Sequence, residues 1–446
     1  MATNDLAAEG KPAFAELVSA FARIGLLSFG GPAAQIALMH RICVDERRWI
    51  AEDRFLHALN YCMLLPGPEA QQLATYIGWL LHGVKGGVVA GLLFVLPGLC
   101  VILGLSTVYA LFQDASWIVG IFFGLKAGVL AIVVQAVARL AGRALKTGFH
   151  RAVAVLAFVA LFFLSLPFPL VVLAAGLSGL VMARLAPGGA TDPAQKQAQS
   201  VTTSLLRTVA VMLFWIAVWQ APLAVLLLLG SPQGLTAPFE FFSRMALVTF
   251  GGAYAVLAYV AQVAVEQYQW LRPGEMLDGL ALAETTPGPL VLVLSYVGYL
   301  AAFRGATGLD PVLAGFLGGL LTAWATFVPS FLFIFVGAPH VERLRGNRLL
   351  SSALSAITAA VVGVIANLTL WFALHVLFTR VETRSLMPGV DMAWPDWASL
   401  DLLSLTIFAA AVVLLFRMKL GVERVLGLSA LAGLLVVAFK GLAAAT

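Results

Sequence analysis

Long apolar runs, separated by short polar loops, follow one another along the whole chain. About 20 consecutive apolar residues suffice to cross a bilayer as a helix, whereas the strands of a transmembrane barrel alternate apolar and polar residues. The runs here are continuous, so they predict an all-α polytopic membrane protein. Nine runs predict plain crossings, over residues 88–111, 117–138, 149–166, 168–184, 205–229, 312–337, 349–378, 401–417 and 425–442.

Other apolar segments are interrupted near their middles by glycine and proline, which break helices. The segments 14–39 and 55–82 contain Phe29-Gly30-Gly31 and Pro66-Gly67-Pro68 at these points, and the second half of the chain repeats both motifs. We expect each interrupted segment to form a re-entrant pair of half-helices at the membrane midplane. This interpretation gives nine crossings and four hairpins, and the alternative is that every segment spans the membrane.

An internal repeat relates the two halves of the chain. The motifs recur as Phe250-Gly251-Gly252 and Pro287-Gly288-Pro289, both 221 positions further along. At this spacing, residues 17 to 68 show 15 identities in 52 ungapped positions. The predicted domain order is an N-terminal tail (1–12), a first transporter-like repeat (13–185), a polar linker (186–204), a connecting transmembrane helix (205–229) and a second repeat (238–442).

Loop charges predict that the two repeats cross the membrane in opposite directions, because Lys and Arg collect in cytoplasmic loops. The loop at 139–151 is strongly basic, whereas its counterpart at 380–401 also carries several acids. Conversely, the loop at 40–54 has four arginines and its partner at 261–275 has one. Two inverted-topology repeats would produce this pattern, which is common in transporters. The same charges predict a cytoplasmic N-terminus.

The amino-acid composition excludes further classes of protein. Charged residues make up 11% of the chain and hydrophobic residues 61%, with a mean hydropathy of +0.96, which excludes a soluble or disordered chain. Basic loops account for the net charge of +5, so the expected partner is the lipid bilayer and not nucleic acid. No phosphate-binding loop, zinc-protease motif or paired Cys-x-x-Cys occurs, so we expect neither an enzyme nor a bound metal or cofactor.

The four helix breaks predict one shared binding site. Non-helical backbone inside a membrane is tolerated where it faces protein or a watered cavity, and matched breaks in inverted repeats are typical of substrate sites. Pro32, Pro68 and Pro289 each fit the first position of a new helix, whose free N–H groups attract anions. The alternative is that these residues only allow tight packing and kinks.

Charged residues inside apolar segments are expensive and usually functional. Arg23 and Arg244 share one repeat position before the two Phe-Gly-Gly breaks, and a guanidinium suits an oxyanion. The alternative is that each snorkels or pairs with a carboxylate. Lys126 is expected to hold an anion or to pair with an acid such as Glu69.

Two further acids flank the Pro-Gly-Pro motifs, and hydroxyl groups lie beside the breaks. Glu69 and Glu284 are candidate proton carriers, although Glu69 could instead cap its helix. His57 and Asp278 share another repeat position and are expected on a solvated face. The predicted substrate-binding residues are Arg23, Ser28, Gly30, Gly31, Gly67, Lys126, Arg244, Thr249, Gly251, Gly252, Thr285, Thr286 and Gly288.

The ordered motifs resemble the chromate transporter family in its long, two-domain form. They are Ser28-Phe29-Gly30-Gly31-Pro32, Glu46-Arg47-Arg48-Trp49, the stretch from Leu64 to Ala74, Leu96-Pro97-Gly98 and Glu284-Thr285-Thr286-Pro287-Gly288-Pro289. The likeness covers nearly the whole chain, with Ala253-Tyr254 after the second Phe-Gly-Gly as a departure. The resemblance implies a bacterial inner-membrane antiporter that confers chromate resistance by export, with proton coupling and with sulfate as a close analogue.

Several alternatives stay open. Chromate and sulfate are tetrahedral dianions of similar size, so helix N-termini and arginines would hold either one. A sulfate-type uptake carrier or an anion channel would use the same site, and a membrane enzyme acting on a lipid would need an acidic metal-binding pair. The small residues Gly86, Gly87 and Gly91 would pack either within the chain or between the copies of a homodimer.

Overall fold

The computed structural model describes residues 12–164, 166–185, 205–231, 233–249, 253–272, 274–338, 348–387 and 390–445. The all-α prediction is confirmed within these ranges, which contain sixteen α-helices and one β-hairpin. The helices are α1 (Phe14–Leu27), α2 (Gly31–His40), α3 (Glu52–Cys62), α4 (Glu69–Phe112), α5 (Ser116–Ala144), α6 (Gly148–Phe162), α7 (Phe168–Leu185), α8 (Leu205–Leu228), α9 (Gln233–Val248), α10 (Ala253–Gln262), α11 (Glu275–Glu284), α12 (Val293–Arg304), α13 (Pro311–Gly337), α14 (Arg348–Leu377), α15 (Leu402–Val412) and α16 (Val422–Ala445). The predicted linker 186–204, and all but the last residue of the predicted tail 1–12, lie outside the described residues.

Seven described helices are long and apolar enough to cross a membrane, so the chain is a multi-pass membrane protein. They are α4, α5, α7, α8, α13, α14 and α16. The predicted crossings 149–166 and 401–417 correspond to shorter apolar helices, α6 and α15 with its extension to Arg417. The total of nine crossings therefore stays a prediction.

The interrupted segments form short helices. α1 has 14 residues and α2 has 10, so at about 1.5 Å per residue neither reaches the roughly 30 Å of a hydrocarbon core. α10 and α11, in the second half, also have 10 residues each. α2 and α10 each continue as a π-helix, to Glu46 and Gln267, and the choice between half-helices and full crossings stays a prediction.

Helix α4 contains a sharp turn that divides it into a short and a long arm. His82 and Gly83 have non-helical backbone angles, and Gly83 has a φ of +63°, a conformation that favours glycine. Gly78 and Gly86 then lie so close across the turn that a side chain on either would meet the other's carbonyl. The short arm after Pro-Gly-Pro thus folds back against the long apolar arm.

A distinctive local geometry recurs at the spacing of the sequence repeat. α2 continues as a π-helix over Arg41–Glu46, and α10 does the same over Val263–Gln267. Each is followed by a non-glycine residue with positive φ, Arg48 at +51° and Gln269 at +54°, which lie 221 positions apart. The same geometry also follows α15, over Val413–Arg417 with Lys419 at +54°, so it is not confined to the repeated positions. The opposite orientation of the repeats in a membrane stays a prediction.

The described chain divides into two compact units, and each contains segments from both predicted repeats. Unit 1 comprises Met1–Gly104, Leu185–Ala253 and Thr286–Ser351, and unit 2 comprises Leu105–Arg184, Tyr254–Thr285 and Ser352–Thr446.

In unit 1, α13 packs against α8, α9 and α12. Trp219 donates its indole N–H to the Ala325 carbonyl, and Trp324 donates to that of Val218, which ties α8 to α13. Gly87 and Gly91 meet the rings of Phe335 and Phe331, so this small-residue face packs within the chain.

In unit 2, α5 packs against α11, α15 and α16. Gly124 and Gly128 allow α16 to approach at Ser429. The region 380–401, predicted as a loop, contains an antiparallel hairpin of β1 (Val381–Met387) and β2 (Val390–Pro395).

Candidate functional site

Two reciprocal backbone hydrogen bonds join the helix breaks inside unit 1. The Gly67 N–H donates to the Thr249 carbonyl over 2.8 Å, and the Gly288 N–H donates to the Ser28 carbonyl over the same distance. Each bond joins a Pro-Gly-Pro of one repeat to the residue before a Phe-Gly-Gly of the other. The two bonds are related by the repeat, because 28 and 249, like 67 and 288, are 221 positions apart. The structure thus brings together three of the four predicted breaks and Thr249, which precedes the fourth; Phe250-Gly251-Gly252 itself lies outside the described residues.

The glycines at the breaks are required by the backbone. Gly30, Gly31, Gly67 and Gly288 have φ values of +82°, +78°, +113° and +91°, which other residues rarely adopt. Such a conformation at Gly30 lets the chain stop after α1 and begin α2 at once. Gly251 and Gly252, the counterparts of Gly30 and Gly31, lie outside the described residues.

A small cavity of about 20 Å³ lies at this junction. Three helix beginnings contribute to its wall, at Pro32, Pro68 and Pro289, together with Gln35 and Glu69. At Pro289 a 3₁₀ turn, Leu290–Leu292, leads directly into α12. Prolines at these positions sacrifice no hydrogen bond, and the N–H groups that follow them provide the positive end of a helix. The volume suits a water molecule, so a tetrahedral oxyanion needs the junction to open.

Gln35 is a residue of this cavity that the sequence analysis missed. Its Nε2 donates to the Gly288 carbonyl over 2.6 Å, and only 1% of the residue is exposed. Its Oε1 forms no hydrogen bond with the described residues. The available signal was its position one turn after Pro32, as a polar residue in an apolar helix.

The two repeats differ at the junction although their backbones match. Val256 stands where the first repeat has Gln35, and Leu290 follows the second Pro-Gly-Pro as Glu69 follows the first. Both replacements are apolar and buried. The polar side chains of the cavity therefore come from the first repeat.

The predicted hydroxyl groups are used locally. Ser28 Oγ donates to the Ile24 carbonyl and Thr249 Oγ1 to that of Met245, both over 2.6 Å, so each satisfies the end of its own helix. Thr285 Oγ1 donates to carbonyls of α11, in unit 2. Thr286 is buried in unit 1.

The predicted arginines are exposed and lie beside acids. Arg23 is 4.0 Å from Glu46, and Arg244 is 3.4 Å from Glu240 one turn earlier on α9. With 57% and 79% of their side chains exposed, these pairs correspond to the carboxylate-pairing alternative. A binding role for either arginine stays a prediction.

Lys126 belongs to a second cavity, of about 290 Å³, within unit 2. Its Nζ lies 3.2 Å from Asp278 Oδ2, which also accepts a hydrogen bond of 2.9 Å from Tyr109 Oη. The partner is thus Asp278 and not Glu69. The solvated face expected for Asp278 was wrong: the residue is 3% exposed, because α11 packs against α5.

The two candidate proton carriers have different surroundings. Glu69 begins α4 and lines the small cavity of unit 1. Glu284 ends α11 in unit 2, where its Oε1 accepts a 2.6 Å hydrogen bond from Tyr254 Oη. A proton bound to Glu69 would therefore lie in unit 1, and a proton bound to Glu284 would lie in unit 2.

Fold and site together define a multi-pass membrane protein with broken helices at a buried polar junction. The sequence profile described as Chromate transporter matches residues 15–180 and 236–437, close to the bounds of the two predicted repeats. The chain belongs to the chromate transporter family.

Curated relatives agree with this membership. A chromate transport protein of Pseudomonas aeruginosa is 31% identical over 96% of this chain and 94% of its own length. A probable chromate transport protein of Synechococcus elongatus is 29% identical over 79% of this chain and 82% of its own length. A chromate transport protein of Cupriavidus metallidurans is 28% identical over 79% of this chain and 80% of its own length. No solved structure matches the chain.

Proposed function

We propose that this protein is a secondary active transporter that exports chromate across the inner membrane of a bacterium. The N-terminus lies in the cytoplasm, and the two repeats have inverted topology. Three relatives with chromate transport in their names, similar over most of the chain, support the substrate class.

The observation that carries the proposal is the pair of reciprocal hydrogen bonds at the junction of the breaks. They hold helix beginnings from both repeats around one cavity, and the free N–H groups of helix beginnings would bind an anion there without a basic side chain. These bonds link the two repeats, so a displacement between the repeats that breaks them would open the cavity. Opening alternately to each side of the membrane would transport the anion.

The direction of transport follows from the charge of the anion and from the membrane potential. With the cytoplasm negative, each negative charge that leaves gains about 2.3 kcal/mol per 100 mV of membrane potential. An anion carrier with no other driving force therefore runs outward. Arg23 and Arg244 would raise the anion concentration near the protein by long-range attraction.

In this proposal, proton coupling takes place at the cavity of unit 1. Glu69 shares that cavity, and a carboxylate beside an oxyanion is repelled unless one of the two carries a proton. Binding of the anion is thus linked to binding of a proton. Glu284, held by Tyr254 in unit 2, is the second candidate carrier.

The test is uptake of labelled chromate into everted inner-membrane vesicles, in which export becomes uptake. We expect saturable uptake that is driven by the membrane potential and altered by a pH gradient, with excess sulfate as a competitor. Accumulation against a gradient separates a carrier from a channel. Vesicles with well-inserted protein and no chromate uptake would refute the proposal, and vesicles that accumulate only sulfate would favour the sulfate carrier.

A further inference from the structure

The cavity of unit 1 contains a buried acceptor that no described group satisfies. Gln35 Nε2 donates to the Gly288 carbonyl over 2.6 Å and faces the Ser28 carbonyl at 3.4 Å. These carbonyls fix the amide orientation, because a flipped amide would place oxygen against oxygen. Oε1 is left without a hydrogen bond to the described residues in a side chain that is 1% exposed.

In the closed cavity a water molecule can donate to this atom, so a substrate that displaces the water must bring a donor of its own. A fully deprotonated tetrahedral oxyanion has acceptor oxygens only, so it cannot supply one. The helix beginnings at Pro32, Pro68 and Pro289 provide donors to the same cavity. The cavity therefore combines donors for anionic oxygens with one acceptor suited to a hydroxyl.

The charge of the cavity favours the same species. Glu69 is the titratable residue among the described residues that line it, and no Lys, Arg or His side chain belongs to that described lining. A dianion beside the Glu69 carboxylate meets more repulsion than a monoanion does. Charge and hydrogen bonding thus agree.

We propose that the site takes its oxyanion in the monohydrogen form, with the substrate hydroxyl donating to Gln35 Oε1 and the anionic oxygens accepting from the helix N-termini. The inference rests on the proposed function and identifies which form of the substrate is carried. The oxyanion takes one proton from water before it binds and returns it to water after release, so one proton accompanies each anion.

Selectivity follows from ordinary acid–base chemistry. Chromate gains a proton near neutral pH, whereas sulfate does so only in strong acid. A site that requires a hydroxyl therefore accepts a fraction of the chromate present and discriminates against sulfate, because binding sulfate would leave Gln35 Oε1 unpaired.

The experiment measures initial chromate uptake into everted vesicles between pH 6 and pH 8.5, with competing anions. In the wild-type protein we expect KM for total chromate to fall as the pH is lowered, in inverse proportion to the hydrogen chromate fraction. Hydrogenphosphate and hydrogenarsenate, which carry a hydroxyl, should compete better than sulfate and selenate, which carry none. This comparison does not depend on the folding of a variant.

Variants at Gln35 and Glu69 test whether the transported proton is carried by the substrate or by the protein. Gln35→Met keeps the length of the side chain but removes the acceptor and also the Nε2 donor to the Gly288 carbonyl. The preference compares two anions on the same variant, so the lost Gly288 bond affects both, and we expect the preference for hydroxyl-bearing anions to fall about tenfold, the effect of about 1.4 kcal/mol. Gln267→Met, at an exposed position, is the control. Glu69→Gln should keep the pH dependence of KM, because the proton travels on the substrate.

Three results would overturn the inference while leaving the proposed function intact. They are a wild-type KM that does not vary with pH, equal competition by sulfate and hydrogenphosphate, and a pH dependence that disappears in Glu69→Gln, which would place the proton on that carboxylate. Absence of chromate uptake by the wild-type protein at every pH would overturn both the proposed function and the inference.

Discussion

Two cavities among the described residues differ in the groups that line them. The cavity in unit 1 holds about 20 Å³ and is formed by helix beginnings, one amide and Glu69. The cavity in unit 2 holds about 290 Å³ and is lined by charges of both signs, including Lys126 and Asp278. In unit 2 the lysine is already paired with a buried acid, whereas in unit 1 the helix beginnings at Pro32, Pro68 and Pro289 offer N–H donors at the cavity wall. For an anion, the less charged cavity is therefore the better site.

The largest expected effect is at the glycines of unit 1. Gly67→Ala and Gly288→Ala place a Cβ on backbone with φ above +90°, and the Cβ at residue 67 would lie 2.9 Å from Gln72 Nε2. Strain of about 1–3 kcal/mol would displace the reciprocal hydrogen bonds. We expect chromate uptake to be lost while the protein still inserts, as shown by vesicle immunoblots.

Gly104→Ala is the matched control for these two variants. A Cβ added to this helical glycine would meet no neighbouring atom within 4 Å, so the position should tolerate alanine. Normal transport by Gly67→Ala or Gly288→Ala would mean that the junction of the breaks is not the site.

The second largest effect is expected at the ion pair of Lys126 and Asp278 in the cavity of unit 2. Asp278→Asn and Lys126→Gln each leave one charge of a largely buried pair uncompensated, at a cost of about 3–5 kcal/mol before allowance for the 31% exposure of Lys126. We expect a lower melting temperature for each purified variant. The double variant should regain stability, because it removes both charges, and it should transport chromate.

The double variant also decides the role of Lys126. If the Lys126→Gln/Asp278→Asn protein is stable but does not transport chromate, we would infer that Lys126 takes part in substrate binding, as the sequence predicts. That result would also mean that the cavity of unit 2, and not only the cavity of unit 1, takes part in transport.

A smaller effect is expected at the arginines. Their sequence position predicts that Arg23→Ala or Arg244→Ala abolishes chromate resistance, but both side chains are exposed and paired with acids. Attraction at a distance predicts instead a few-fold rise in KM that disappears at high salt. Chromate uptake at two ionic strengths measures this, and complete loss of transport by inserted protein would support direct contact with the anion.

The smallest effect is expected at the hydroxyl groups. Ser28→Ala and Thr249→Val remove a bond to a carbonyl one turn earlier, worth about 1 kcal/mol, and keep the backbone carbonyls that accept from Gly288 and Gly67. We expect KM to change less than about twofold. A large rise in KM at unchanged melting temperature would show that a hydroxyl contacts the anion.

Much of the junction could be predicted from local rules. Phe-Gly-Gly and Pro-Gly-Pro favour helix breaks, and their recurrence 221 positions later indicates that the breaks are related. Gln35 could not be selected in this way, because one amide in an apolar helix is common. Its importance comes from the Gly288 carbonyl, 253 positions away in sequence.

The sequence by itself determined the membrane class, the helical fold, the duplicated breaks and the family. These features follow from hydropathy, from the torsional limits of proline and glycine, and from the repeat, all of which can be read along the chain. Only the tertiary structure decided which side chains become partners. It buried Asp278 against Lys126, left Arg23 and Arg244 beside surface acids, and joined each Pro-Gly-Pro to the opposite repeat. The physical reason is that the partner of a charge or of a free N–H is chosen by packing between helices far apart in sequence, where local preferences carry no information.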